Sequence, residues 1–598
     1  MKKFFLVLVS LVFLFSVSLF ATTNSQKYYP VSSIEWRSVN ELCHYVGVAG
    51  PTSNGPVTKA QLLLALERAE EYLECDNPIL LDIKNKLSEE YSFYSDSIGS
   101  ISLVGVLSPE IYGQTNGNSE APMWGLDSSW AIKNHLERKS AAVLTLENTI
   151  RDSLYSRFAF EYRQKVGNDK NIWTKNFHTS FYGTRIAQNF PYDAGVSLGT
   201  KGLSLILGRG HVSLGEGYTG NTAIGDNYDY QEFMKTGFYT KNTSVFVTLT
   251  SFDSSHASTK LVEKTEDGKT YYVPEVENLS PWDVKTSQFS GYKNVRHSAG
   301  YDIVLFDKHK VSLAFVTLLD TDTAFDFRYL NPFMVLHNMY NYHEGHSLEA
   351  NNMISIDYSV SVAPRWNIYL QLTMDQLQIK GETDGYINSL GYTDPNAFGG
   401  LFNLSYTDIF CSDTIVNLYG EVVYNMPGMY LNSKFYNSNG EVTQLKTDKR
   451  CWSQDYLLGY SREEENGYDD VAYSGYIYGP DCVVVSLGGT MRRPNSYNLS
   501  SSIMYMAHGA KGRGESASNY TFDEIDKRED VNRVALTGTV EHSLIYKAEA
   551  ELQLRDYLSF SFGGAYQYRW NYMNTANKNY SNLQLFVGLK LSTISFTV

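Results

Sequence analysis

The alternation of side-chain character between Met353 and Met374 constrains this chain more than any other stretch. Ile354, Ile356, Tyr358, Val360 and Val362 alternate with Ser355, Asp357, Ser359 and Ser361. After Ala363-Pro364-Arg365 the beat resumes, with Trp366, Ile368, Leu370, Leu372 and Met374 set against Asn367, Tyr369, Gln371 and Thr373. A period of two puts each set on one face of a strand, and two such strands joined by so short a turn form a hairpin. A second hairpin is expected to turn at Arg555-Asp556-Tyr557, between Ala548, Ala550, Leu552, Leu554 and Leu558, Phe560, Phe562. Its second arm runs on into Tyr566, Tyr568 and Trp570, aromatics suited to a membrane interface. From about Gly99 onward this period dominates, so residues 99–598 read as one mainly β unit.

Strands of this kind build either a secreted all-β protein or a transmembrane antiparallel β-barrel. The chain has 46 Tyr, 45 Gly and 30 Phe against 15 Pro, with a mean hydropathy of -0.30. Lipid-facing apolar residues that alternate with lumen-facing polar ones average to such a value, and the barrel reading is preferred. Lys2-Lys3, the apolar run Phe4 to Phe20 and Ala21 before Thr22-Thr23-Asn24-Ser25 have the parts of a secretory signal peptide, expected over residues 1–21. Beyond it no stretch is long and apolar enough for a membrane helix, so a membrane protein made from this chain must cross with strands. The net charge of -15 speaks against nucleic acid as a partner. Ser254 to Ser290, Gly381 to Gly399 and Leu431 to Asp469 are candidate outward loops.

Residues 22–98 read as a small helical bundle. Thr58 and Gln61 form a capping-box pair ahead of Leu62, Leu66, Ala69 and Leu73 at helical spacing. Asn77-Pro78 starts a helix that carries Leu80, Ile83, Leu87 and Tyr91, and a weaker one runs through Val39, Leu42 and Val46 to Gly47 as its C-cap. The loop Gly50 to Pro56 separates the first helix from the second.

Two enzyme-like spellings lie close together. Gly215-Glu216-Gly217-Tyr218-Thr219-Gly220 reads G-x-G-x-x-G, but Asn221 to Asp226 after it is loop chemistry, whereas a dinucleotide site needs a helix there. Gly195-Val196-Ser197-Leu198-Gly199 reads G-x-S-x-G, yet Ser197 falls within an alternating strand and suits a lumen serine better than a nucleophile elbow. No nucleophile and base assemble in the sequence, so an enzyme is not expected. His337, His343 and His346 with Glu344 and Glu349 have no helical spacing and read as solvated loop residues, so neither metal nor cofactor is expected. Cys43 and Cys75 either pair or stay as buried thiols. Arg209, Arg492 and Arg493 at strand ends are candidate lumen charges that either pair with carboxylates such as Asp375 or Glu421, the default, or engage an anionic ligand.

Sugar recognition combines aromatic faces with amide and carboxylate hydrogen bonds, and Tyr218, Asn221, Asp226, Asn227, Tyr228 and Tyr230 lie together as candidate glycan-binding residues. The same tyrosines also suit an interfacial girdle.

The order of these features is similar to that of the Wzi capsule-assembly proteins. The helix at Val57-Thr58-Lys59-Ala60, Leu207-Gly208-Arg209 before Gly215-Glu216-Gly217, and Tyr329-Leu330-Asn331-Pro332 carry the resemblance. Asn351 to Asp357, Leu370 to Asp375, Tyr419-Gly420-Glu421 before Pro427 and Tyr430, and Tyr478-Gly479-Pro480-Asp481 extend it along nearly the whole mature chain. Leu214 stands where the family pattern has a tryptophan, and the chain ends on Val598 rather than an aromatic. The resemblance implies a bacterial outer-membrane barrel of about 18 strands with a periplasmic bundle at its lower mouth. It also implies a lectin-like, non-catalytic role in holding capsular or other surface polysaccharide, with outer-membrane lipid around the barrel. A porin-like channel for small solutes is the alternative.

Overall fold

A computed structural model describes residues 24–592 apart from 74–76, 89–93, 96–97, 118–129, 134–136, 163, 167–171, 175–192, 229, 253–258, 267–268, 277–292, 322–348, 377–396, 412, 431–432, 439–440, 448–452, 458–468 and 511–533. The signal-peptide segment and the His337, His343, His346 group lie outside the described residues.

Eighteen antiparallel strands close into one barrel. They are β1 (Gly99–Leu107, continued by Glu110–Gln114), β2 (Ala142–Ile150), β3 (Leu154–Tyr162), β4 (Asp193–Thr200), β5 (Leu203–Gly210) and β6 (Gln231–Tyr239). Next come β7 (Thr243–Phe252), β8 (Lys293–Leu305), β9 (His309–Thr321), β10 (Glu349–Ala363), β11 (Trp366–Gln376) and β12 (Ala397–Phe410). The last six are β13 (Thr414–Asn425), β14 (Cys482–Arg493), β15 (Tyr497–His508), β16 (Glu541–Arg555), β17 (Leu558–Trp570) and β18 (Tyr580–Ser592). The two parts of β1 keep one register against β18, from Leu107 opposite Leu591 to Gln114 opposite Gln584. The break falls at Ser108-Pro109, because Pro109 has no N–H to donate, although its carbonyl accepts from Leu589 N at 3.0 Å. Closure leaves no sheet edge, which a strand structure in lipid requires.

The two faces confirm the alternation and give it a direction. Asp357 and Gln371 are 3% and 0% exposed, whereas their chain neighbours Ile356 and Leu372 are 48% and 61% exposed. A soluble protein would bury the opposite set, so the outer face of this barrel is suited to lipid and its inner face to polar packing. Both expected hairpins are present, with Ala363 paired to Trp366 and Arg555 to Leu558. In β18 Leu583, Leu585, Val587, Leu589 and Leu591 face outward together, while the bulge expected near Ser592-Thr593 lies at the end of the described residues.

Two- to three-residue turns join the strands at one end of the barrel, for example at Lys201-Gly202 and Thr240 to Asn242, and the long loops join them at the other. The N-terminal helices pack at the short-turn end. Helix α1 (Ile34–Val46) ends at Gly47 with φ of 85°, a left-handed cap that glycine adopts freely. Helix α2 (Lys59–Glu70) carries the capping box: Gln61 N donates to Thr58 Oγ1 and Gln61 Oε1 accepts from Thr58 N. In α3 (Pro78–Ser88) Asn77 Oδ1 accepts from Ile79 N and Leu80 N, each at 3.1 Å. Val39, Leu42, Leu62, Leu66, Ile79 and Ile83 make the bundle core, which reaches Ile415 of the barrel.

The bundle is tied to the barrel along much of its rim. Asn24 Nδ2 donates to Arg151 O, Ala49 N to Asp307 O, Ser361 Oγ to Val48 O and Arg365 N to His44 O, all within 3.0 Å. Cys43 is a buried free thiol beside Ala65, and Cys75 lies outside the described residues.

Candidate functional site

The glycine-rich stretch does not stand outward. From His211 to Tyr228 it drops into the lumen from the long-loop end of β5 and β6, and the loop before α2 rises to meet it from the other end. Gly55 N donates to Ser213 O at 2.9 Å and Gly215 N to Ser53 O at 3.1 Å, with Asn54 bridged to Leu214 and Leu214 to Ile224. The 50–56 loop separates the two helices, as expected, and is also half of a plug. Lysines of the wall fasten it: Lys235 Nζ donates to Asn54 O and to Pro56 O, and Lys310 Nζ donates to Pro51 O at 2.6 Å while pairing with Glu216.

The other half is held by the opposite wall. Glu421 of β13 accepts from Tyr218 N at 2.7 Å, Thr219 N at 2.8 Å and Thr219 Oγ1 at 2.5 Å. Gln371 of β11 accepts from Thr222 N through Oε1 and donates to Leu214 O through Nε2. One carboxylate and one amide thus satisfy the backbone of a loop that has no ladder of its own. Gly215 sits at φ of 127°, and a Cβ there would lie 2.3 Å from Asn221 Oδ1, so this position needs glycine on both counts. The G-x-G-x-x-G spelling is explained by this packing. Ser197 of β4 is a fully buried lumen serine, as its alternation predicts.

The six candidate glycan residues separate into three groups. Tyr218, Asn221, Asp226 and Asn227 line one cavity of about 460 Å³ between α1 and the plug. Within it His211 Nδ1 lies 2.8 Å from Asp226 Oδ1, and Asn221 Oδ1 accepts from Gly217 N. Tyr228 is buried, its hydroxyl 3.0 Å from Ser474 Oγ, and Asn227 Nδ2 is turned to Gly475 O. Tyr230 faces the other way. Its ring lies under the Arg209 guanidinium, 3.4 Å from the centroid.

Arg209 corrects an expectation. It was expected in the lumen, but it shares the outward parity of Leu205 and Leu207, because Gly208 opposite Gly195 holds the inward positions beside Tyr28. Its ion pair is to Glu232, directly across on β6, at 3.2 Å. Arg492 does point inward, and its partner is Glu41 of α1 at 2.6 Å; Arg493 pairs with Asp413 at the turn. Asp375 and Glu421 instead accept plug or loop N–H groups, Asp375 from Tyr430 N at 2.9 Å.

Tyr218 sits deep in the barrel yet is 41% exposed, because it borders open lumen. Its ring stacks on Tyr419 with centroids 3.9 Å apart and planes within 5°, and its hydroxyl donates to Asn417 Oδ1 at 2.9 Å. Beyond it a second cavity of about 150 Å³ is lined by Trp130, Tyr419, Tyr478, Ser502, Lys547 and Arg569. Trp130 belongs to another inward segment that sequence patterning did not mark. Ala131 N and Ile132 N donate to Gln584 Oε1, and the Arg138 guanidinium lies between Tyr112 and Trp130, 4.1 and 4.4 Å from their centroids.

No family model and no curated protein matches the chain. Among solved structures it is similar to Wzi of Escherichia coli, an outer-membrane protein involved in group 1 capsule assembly and described as a carbohydrate-binding β-barrel. The TM-score is 0.50 at 10% identity, over 95% of this chain and 99% of that one. The outer-membrane channel DcaP of Acinetobacter baumannii matches with a TM-score of 0.33 at 10% identity, over 84% and 99%. OprD of Pseudomonas aeruginosa matches with 0.35 at 8% identity, over 82% and 94%. The fold is that of bacterial outer-membrane barrels.

Proposed function

We propose that this protein holds surface polysaccharide at the outer membrane as a non-catalytic, lectin-like barrel. The observation that carries this reading is the plug. Two segments far apart in sequence meet in the lumen, and the wall side chains Lys235, Lys310, Gln371 and Glu421 satisfy their backbone groups. Such a plug argues against an open solute channel. What remains is a rigid membrane-seated body with long loops on one side and a polar, aromatic lumen. By the general pattern of outer-membrane barrels the short-turn end and its bundle lie in the periplasm and the long loops face outward. The Escherichia coli protein of the same fold, described as binding carbohydrate, agrees with this use of the architecture.

A strain lacking the gene, scored for cell-attached against shed polysaccharide, tests the reading. Loss of the attached fraction with total synthesis unchanged is expected. Unchanged retention, in a parent that expresses the protein, overturns it. Steady conductance of the purified protein in planar bilayers would favour the channel instead.

A further inference from the structure

We infer that the two lumen cavities form one site for a short neutral oligosaccharide, with a sugar ring stacked on the uncovered face of Tyr218. This deepens the retention reading and rests on it for the class of ligand. The cavities of about 460 and 150 Å³ share Glu137, Tyr218, Thr219 and Ile477, so they adjoin at the Tyr218 ring. The larger alone falls within the range of about 300–1,000 Å³ usual for ligand pockets.

Tyr218 is built as a platform. Tyr419 covers one face of its ring, so the 41% exposure belongs to the other face and the edge. The hydroxyl bond to Asn417 and the backbone bond to Glu421 fix the ring from two sides, so little side-chain freedom remains to be lost on binding. Around it Trp36 and Tyr369 add aromatic surface, and Asn40, Asn367 and Asn403 add amides that can both donate and accept. Rings and amides together match the apolar faces and hydroxyl rims of a pyranose.

The charges argue against a cationic ligand, and the amides favour a neutral one. The carboxylates in the lining have partners, Glu216 in Lys310, Glu41 in Arg492 and Asp226 in the His211 imidazole, while Arg37 in the same lining has no ion pair among the described residues. At the junction Glu137 lies 3.7 Å from Lys547. A cationic ligand would have to break such a pair, whereas hydroxyls need only the amides.

Detergent-purified full-length protein is titrated by calorimetry with the neutral trisaccharides maltotriose, cellotriose and chitotriose, and with trigalacturonate as the acidic control. At least one neutral trisaccharide is expected to bind at millimolar or better affinity. Tyr218→Ala should weaken it about tenfold, while Tyr218→Phe, which keeps the ring, should stay within about threefold. Ser405→Trp, directly across from Tyr419, fills the larger cavity beside the platform and should abolish binding. Heat-modifiable mobility on gels confirms that each barrel is folded. The inference is overturned if folded wild type binds none of the neutral sugars, if only trigalacturonate binds, or if binding survives in both Tyr218→Ala and Ser405→Trp. Its failure is separable from that of the retention role: no binding beside a clear retention defect removes only the lumen site, and binding without such a defect removes only the role in retention.

Discussion

Replacing Lys310 by Met should loosen the plug while leaving the barrel closed. Lys310 is 3% exposed and donates both to Pro51 O of the bundle loop and to Glu216 of the glycine stretch, so one ammonium joins the two halves of the plug. Met keeps the length of the side chain and removes the charge. Glu216, itself 5% exposed at the side chain, is then left buried without its counter-ion, and the Pro51 carbonyl loses its donor. Breaking a buried pair from one side costs about 3–5 kcal/mol. If that cost falls on plug docking, the undocked fraction rises by roughly two hundred- to several thousand-fold. Hydrogen exchange of a peptide spanning 211–228, followed by mass spectrometry, should accelerate accordingly, while peptides from β16 and β17 stay protected. Removing both charges, as Lys310→Met with Glu216→Gln, should recover most of the protection, because no orphaned charge remains. Equal protection in Lys310→Met and wild type, with the barrel intact, would refute the claim that this lysine joins the halves.

Three other outcomes follow from the same geometry. Burial, helped by Lys310, pushes His44 in α1 down to about 3, so the docked bundle refuses a proton that the released bundle accepts below its ordinary value of 6.5. Docking is therefore fully stable above about pH 6.5 and weakens as pH falls toward 3, by up to about 5 kcal/mol; limited proteolysis of the bundle should show this, and His44→Gln should flatten the profile. Leu372→Arg places a charge on the outward face of β11 and should cost about 2–4 kcal/mol in urea-driven unfolding from lipid vesicles. With Cys75 and Cys451 replaced by Ser, a maleimide should modify exposed Cys411 and spare Cys43, which is buried and has its thiol pushed up to about 11, and buried Cys482.

The barrel was legible in the sequence because its signal is local and repeated. Ile356 beside Asp357 and Leu372 beside Gln371 show the two faces directly, and Thr58 with Gln61, Asn77-Pro78 and Gly47 mark helix ends by chemistry that acts within four residues. The plug was not legible, because its bonds join residues without periodic relation. Nothing near Gly50 to Pro56 announces that its carbonyls will meet Lys235 and Lys310, since a carbonyl acceptor looks the same at every residue. Arg209 was misplaced for a related reason. Strand parity with Leu205 and Leu207 was present in the sequence, but a charge at a strand end invites a lumen reading until Gly208 is seen to hold the inward position. Tyr218 stands out in the sequence by composition alone, and composition does not distinguish an outward loop from a lumen position.

The location of the partners of the plug sets an order on its formation. The glycine stretch lies between β5 and β6, yet its anchors are Lys310 on β9, Gln371 on β11 and Glu421 on β13. Between them Gln371 and Glu421 satisfy Leu214 O, Thr222 N, Tyr218 N and Thr219 N, groups that would otherwise be costly to leave dry, while Lys310 matches the Glu216 carboxylate. Until β13 has joined the sheet the stretch cannot complete its bonds, and it gains nothing by entering the lumen. The 50–56 loop is in the same position, since it waits on Ser213 and Gly215 as well as on Lys235 and Lys310. The plug therefore closes after the wall that holds it, and a substitution such as Glu421→Leu should leave β5, β6 and the rest of the barrel assembled while the stretch from His211 to Tyr228 loses its protection from exchange.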